Sequence, residues 1–353
     1  MIKFLHSADW HLDASFSGRT PEEKAYLRSQ SLLVPGRIVR LAKEQGCQML
    51  VLSGDLFDGA YTQESLQAVR VALEEAAMPV FISPGNHDYA GASSPWLRET
   101  WPENVHIFTK NTMETVYLEE LGCYIYGAGF ESMDCPALLQ GFKARQEGLW
   151  HIGILHGDPL VANSPYCPVS APQVRNSGLD YLALGHIHKE GRLRQGNTLC
   201  AWPGCPMGQG FDELGPKGVL LVTLDEKAQA EFVPLDTPRF HVLQVNAGLN
   251  PLAALENILP AGESRDFYRI RLTGECEKPD TAALTQALGR LPHLYLVDET
   301  VPVLDLWGSM GDDSLEGVFF RLLHEELNTQ PEEAKLAARI CRLILQGQEV
   351  VLP

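Results

Sequence analysis

Five apolar runs in the first two thirds of the chain each break off at a polar tip: IKFLHSAD, QMLVLSGD, PVFISPGNHD, WHIGILHGD and LDYLALGHIH. Short, aliphatic and β-branched, and stopped by Gly, Asp, Asn or His, they have the pattern of buried strands. Helical patterns separate the first three, PGRIVRLAKEQ before Met49 and TQESLQAVRVALEEA before Pro79. This alternation confines the chain to an α/β layered domain. In such sheets ligands collect at the carboxyl ends of strands, so the five polar tips are expected to meet at one place.

Shorter strand patterns follow in VHIFTKN, TVYLEEL and CYIYGAGF, and GRLRQGNTLCAW, KGVLLVTLDE and QAEFVPLD read as an antiparallel ending to this domain. A boundary is expected near LDTPRF, giving domains 1–238 and 239–353. The second restarts the pattern as a small βαβαβ unit: strands HVLQVNAG, FYRIRLTGE and LYLVDETVPVL, helices NPLAALENIL and TAALTQALGRL. Two amphipathic helices close it. In the first, Leu315, Val318, Phe319, Leu322 and Leu323 share a face, and Asp313 with Glu316 reads as an N-terminal capping pair. In the second, Ala337, Ile340, Leu343 and Ile344 lie on one side.

The strand tips contribute Asp9, His11, Asp55, Asn86, His87, His156, His186 and His188. Carboxylate, imidazole and amide without thiolate suit divalent manganese, iron, zinc or magnesium. Two cations held about 3.5–4 Å apart need a ligand that reaches both, which a carboxylate can do. Asp55, in the central GD, is the candidate bridge. In an extended backbone residues i and i+2 point the same way, so Asp9 with His11, and His186 with His188, are expected to face one pocket. Asp58 could hold His87 by a carboxylate hydrogen bond, and reads equally as a turn residue.

DxH, GDxxD, GNHD, the lone His of ILHGD and GHxH, in that order, resemble the calcineurin-like metallophosphoesterases. The resemblance covers residues 1 to about 235. It implies a four-layer αββα sandwich followed by a small α+β cap with C-terminal helices. It also implies a centre of two divalent metal ions, with manganese the first choice. Asp9, His11 and His188 would hold one ion, Asn86, His156 and His186 the other, and Asp55 both, with His87 as the catalytic histidine. KFLHSADWHLD, GDLFD and PGCPMGQGFDELGPKG are similar to the SbcD-type DNA repair exonuclease branch. That similarity implies a manganese-dependent DNA exonuclease or endonuclease. Its implied partners are DNA and an SbcC-type coiled-coil ABC ATPase, which the apolar stripes of the terminal helices could grip, packing of both stripes on the cap being an equal reading; a homodimer with a second copy of the chain is a further candidate. Against that branch, the cap is acidic and Cys205 stands where a small polar residue is expected.

The net charge of −17 weighs against a broad cationic face for nucleic acid, because such binding is driven by phosphate neutralisation. It leaves open a small or non-nucleic phosphoester as substrate. Of the charged residues, 19 of 28 basic and 28 of 45 acidic ones precede residue 241, so neither part is basic. Lys189, Arg192 and Arg194 form the best local basic cluster for a phosphate backbone, a solvated strand face being the plainer reading. Tyr166 and Phe211 are candidates to stack on a base, or simply to pack. HEELN at His324 lacks the second His of a zinc-protease helix. The eight cysteines show no CxxC pair and read as reduced thiols. No apolar run reaches the roughly 18 residues of a membrane span, and polar residues begin at His6, against a signal peptide. The expected location is cytoplasmic.

Overall fold

Strand β1 (Ile2–Ser7) lies in the interior of a six-stranded sheet, and its residues are buried on both faces, Lys3 alone being partly exposed. The computed structural model describes residues 1–145 and 148–347. After β1 come helices α1 (Pro21–Ser31) and α2 (Val34–Glu44), β2 (Met49–Leu52), α3 (Gln63–Ala76), β3 (Val80–Ile82), a single turn α4 (Pro95–Arg98) and β4 (Val105–Ile107). Then follow β5 (Glu114–Leu118), β6 (Cys123–Gly127), β7 (Trp150–His156), α5 (Ala171–Asn176), β8 (Tyr181–Gly185), β9 (Gly191–Gln195) and β10 (Thr198–Trp202). Strands β11 (Gly218–Leu224) and β12 (Ala228–Pro234) complete the series.

The first sheet runs β12-β11-β1-β2-β3-β4 and the second β5-β6-β7-β8-β10-β9. Phe4, Met49, Val51, Leu220 and Val222 of the first share one core with Ile125, Ile152, Ile154, Ala183 and Ala201 of the second. On the outer face of the second sheet, Tyr126, Leu155, Leu182 and Leu184 bury against Leu139, Val174 and Leu179. Helix α2 packs on α3 and on β1. The α/β domain thus holds two mixed sheets, and a third sheet and further helices follow toward the C-terminus.

Two expectations about this region need correction. The antiparallel ending is split between the sheets: β11 and β12 join β1, whereas β10 pairs parallel with β8 and antiparallel with β9. Helix α1 was not anticipated, although Thr20 and Glu23 form a complete capping box at its start.

The chain divides into two compact units, Met1–His241 with Arg265–Phe267, and Val242–Ser264 with the described residues from Tyr268 onward. The three-stranded sheet β13 (Phe240–Asn246), β14 (Phe267–Thr273) and β15 (Leu294–Asp298) alternates with α6 (Pro251–Glu256) and α7 (Thr281–Ala287). Val245, Leu255, Leu259, Ile270, Leu272 and Leu288 form the second unit's core. Helices α8 (Leu315–Glu325) and α9 (Pro331–Leu345) pack on each other. The cap of α8 is Ser314, whose side chain accepts from Gly317 N–H, and not Asp313. Glu316 instead meets Arg342, whose guanidinium lies 4.0 Å from the Phe320 ring centroid. Gly317 and Phe320 are the buried residues of α8, and Leu315, Val318, Phe319 and Leu322 face solvent. No described helix is long and apolar enough to cross a membrane.

Candidate metal centre

The residues that end β1, β2 and β8 leave the strand conformation abruptly. Asp9, His11, Asp55 and His186 have φ of 55°, 45°, 53° and 97°, the left-handed region that side chains other than glycine seldom adopt. Their convergence is thus not the alternation of an extended strand, as the i, i+2 spacing suggested. It comes from tight backbone bends fixed by neighbouring segments: Asp9 N–H donates to Gly54 O and His11 N–H to Asp55 O, both at 3.0 Å. His186 N–H donates to Asp9 Oδ1 at 2.9 Å. Strained conformations held this firmly mark places where side-chain aim matters more than local stability. At the end of β8, a Cβ on Gly185 would sit 2.0 Å from Ser53 O, so only glycine lets these two strand ends approach.

Around these bends the donor atoms gather into a buried cluster. His11 Nε2 lies 3.0 Å from His188 Nε2 and 3.7 Å from Asp55 Oδ2. His156 Nε2 lies 3.3 Å from Asp55 Oδ2 and 3.0 Å from Asn86 Oδ1, and His186 Nδ1 is 3.3 Å from the same amide oxygen. Ligand atoms of Asp9, His11 and His188, and of Asp9, Asp55 and His156, fall within 4.8 Å of one another. Asp55 Oδ2 reaches both His11 and His156.

Whether a cation suits this cluster follows from where its protons must be. His156 Nδ1–H donates to Ser53 O at 2.9 Å, since a carbonyl only accepts. Its Nε2 lone pair then faces two oxygens. His11 and His188 engage carboxylates through Nδ1, to Asp58 Oδ1 at 3.2 Å and to Glu213 Oε1, and so turn two Nε2 atoms toward each other. Asp9 Oδ2 is buried with no hydrogen-bond partner. Acceptor facing acceptor in a low-dielectric pocket is costly unless a positive charge sits between them. Without an ion, protons take that place: burial alone would lower the pKa of His156, but the Asp55 carboxylate raises it to about 9. The side chains fit divalent cations bound through N and O.

His87 stands at the edge. Its backbone N–H donates to Asp55 Oδ1 at 2.9 Å and its Nδ1 lies 2.8 Å from Asp58 Oδ1. The Asp58 bond raises the His87 pKa against partial burial. The hydrogen bonds from His11 and His87 hold the Asp58 carboxyl well below the usual carboxylate range.

Several neighbours escaped the sequence reading. Glu213, in the loop before β11, grips His188, and its Oε2 accepts from Gln209 N–H at 2.7 Å. Asp88 accepts from Gly85 N–H at 2.8 Å and Leu56 N–H at 2.7 Å, tying the second and third motifs together; burial and the nearby Asp55 raise its pKa to about 6. The FDELG and NHD strings held these residues in view without indicating their partners. Cys205 is buried with its thiol pKa raised by desolvation, and its S–H donates to His188 O at 3.6 Å.

The basic cluster has partners of its own. Arg192 donates to Ala230 O and Glu190, and Arg194 to Ala228 O and Asn197 O, so both arginines clasp β9 to the edge strand β12; Lys189 is exposed. Tyr166 lies 5.0 Å from His186, centroid to centroid. Phe211 packs 5.3 Å from Phe240, with the Arg19 guanidinium 4.6 Å from its ring centre.

The family described as calcineurin-like phosphoesterase matches residues 2–190. An uncharacterized metallophosphoesterase of Bacillus subtilis (strain 168), YhaO, is 33% identical over 237 residues, 63% of this chain and 57% of that protein. The SbcD component of the SbcCD nuclease from the same organism is 22% identical over 266 residues, 63% of this chain and 66% of that protein. The chain thus spans less than two thirds of the length of these relatives. The crystal structure of a dimetal phosphatase from Danio rerio aligns with a TM-score of 0.45 at 14% identity, covering 66% of this chain and 97% of that one.

Proposed function

Because the chain belongs to the calcineurin-like phosphoesterase family, we propose that it is a manganese-dependent phosphodiesterase that cleaves DNA, as an exonuclease or endonuclease of the SbcD type. The observation that supports the metal chemistry of this reading is the cluster of acceptor atoms facing one another, with Asp9 Oδ2 buried and unpaired, which favours cations between them. Asp9, His11 and His188 would hold one, Asn86, His156 and His186 the other, and Asp55, within reach of both histidine sets, would be shared. Residues 1–238 would form the four-layer αββα catalytic domain and 239–353 the cap. Ions bound there would supply Lewis acidity at the phosphoryl oxygens and lower the pKa of a water.

The chain's own residues do the rest. Asp58 accepts from Nδ1 of His87 and thereby fixes which ring nitrogen points outward. His87 Nε2–H, on the half-exposed side of the ring, is the proton donor to the leaving oxygen. Glu213 fixes the tautomer of His188 in the same manner. The similarity to the SbcD component of a nuclease supports DNA as substrate and an SbcC-type ATPase as partner, and exposed Leu315, Phe319 and Leu322 on α8 would offer that partner an apolar face. A second reading, hydrolysis of a small or non-nucleic phosphoester, is favoured by the charge of −17.

Hydrolysis of single-stranded DNA, bis-p-nitrophenyl phosphate and a phosphomonoester, each with added manganese, separates the two. The first reading expects cleavage of both diesters. Turnover of the phosphomonoester alone would exclude it.

A further inference from the structure

Beside His87 lies a cleft of about 490 Å³ lined by Gly59, Tyr61, Tyr89, Ser94 and Arg98 as well as His87 itself. That volume matches a small-molecule site. We infer that this cleft is a nucleobase pocket, and that the alcohol displaced from phosphorus is a nucleoside. The inference rests on the role proposed above for His87 at the leaving oxygen.

The walls are aromatic and preformed. Tyr61 stands 5.9 Å from Phe57, Phe57 stands 5.5 Å from Trp96, and Trp96 stacks 5.1 Å from Trp101, so a ladder of rings braces it from behind. Trp96 is itself pinned by donating from Nε1 to Asp88 O at 2.5 Å. Tyr89 is 37% exposed, and its ring lies against the backbone of Gly91, where a Cβ would come within 2.7 Å of it. A bare glycine under an exposed aromatic ring holds a flat face open at the rim.

Polar groups in the cleft suit the edge of a base. Arg98 Nε donates to Ala92 O at 2.9 Å, which anchors the guanidinium while its terminal nitrogens have no partner among the described residues. Ser94 is 8% exposed, and its Oγ is buried without a hydrogen-bond partner. Flat aromatic faces with a cation and hydroxyls around them recognise a planar ring that carries acceptors and donors at its edge. In the reaction, the bond from phosphorus to the nucleoside oxygen breaks as water oxygen bonds to phosphorus. The leaving oxygen takes its proton from His87, water gives one to solvent, and solvent restores His87.

Adenosine binding to the full chain, measured by equilibrium dialysis and saturation-transfer NMR against ribose, tests the pocket without any turnover. Adenosine should bind saturably in the millimolar range or tighter, and ribose should not. Tyr61→Ala and Tyr89→Ala should each weaken adenosine by roughly 5- to 150-fold, the range of one base–aromatic stack. Tyr61→Phe and Tyr89→Phe should retain it, and Gly91→Ala should weaken it by displacing the Tyr89 ring. Absence of saturable adenosine binding, or unchanged binding in both alanine variants, overturns the pocket even if diesters are hydrolysed. Failure to hydrolyse any diester overturns the catalytic reading instead and leaves the adenosine result to stand by itself.

Discussion

Acidification should destabilise the first unit through His6, a residue that touches no candidate ligand. Its ring is fully buried between the sheets, 2.8 Å from Tyr181 Oη through Nδ1 and 2.7 Å from Ser53 Oγ through Nε2. Ser53 in turn offers its carbonyl to His156, so His6 supports the centre from below. Desolvation lowers the His6 pKa from 6.5 to about 3. The unfolded chain therefore takes up a proton on this ring first as pH falls. Stability from the neutral ring is complete above pH 6.5 and is lost progressively between 6.5 and about 3. Each pH unit in that window costs about 1.4 kcal/mol, or about 2.7 kcal/mol at pH 4.5.

His6→Leu removes the titration but strands Tyr181 Oη and Ser53 Oγ, at about 1–3 kcal/mol each. The variant should thus be less stable than the parent by about 2–6 kcal/mol at pH 7.5, and the gap should close by about 2.7 kcal/mol at pH 4.5. Urea unfolding read by pulsed hydrogen exchange in the Ile2–Ser7 peptide reports on the first unit and not the second. A gap that stays constant within about 0.5 kcal/mol between the two pH values would mean that the folded protein accepts a charge at His6, and the burial argument would fail.

Four other outcomes probe the centre. Asp55→Asn should lose metal from both positions, and elemental analysis that finds full manganese loading would rule out a shared ligand. His87→Ala should keep its metal and lose about 10²–10⁴-fold in kcat on a diester, so undiminished turnover would remove His87 from its role. Gly185→Ala drives a Cβ into Ser53 O and the adjacent His156 ring, and should cost about 1–3 kcal/mol of stability along with metal affinity; a parental melting temperature and metal titration would contradict this. Glu213→Ala should weaken manganese binding by about 10–100-fold through loss of His188 orientation, and isothermal titration at the parental affinity would exclude that coupling.

What the sequence determined by itself was the set of chemistry-bearing residues and the strands that deliver them. Each of the five tips combines an apolar run with a polar stop inside about ten residues, so its strand and its donors are local properties that a string of letters displays. The composition of the donors likewise offers a cation oxygen and nitrogen in place of thiolate. Only the tertiary structure decided how those tips are aimed. The left-handed bends at Asp9, His11 and His186 are enforced by hydrogen bonds to other segments, as when His186 N–H binds Asp9 Oδ1 177 residues away. The same is true of Glu213 behind His188, of the arginines that clasp β9 to β12, and of α8, where Phe320 is buried beside Arg342 while Leu315, Val318, Phe319 and Leu322 face solvent. Periodicity records which residues can be buried along one element. Which partner buries them, and which way a strained backbone turns, is settled by contacts whose energy appears only when distant segments meet.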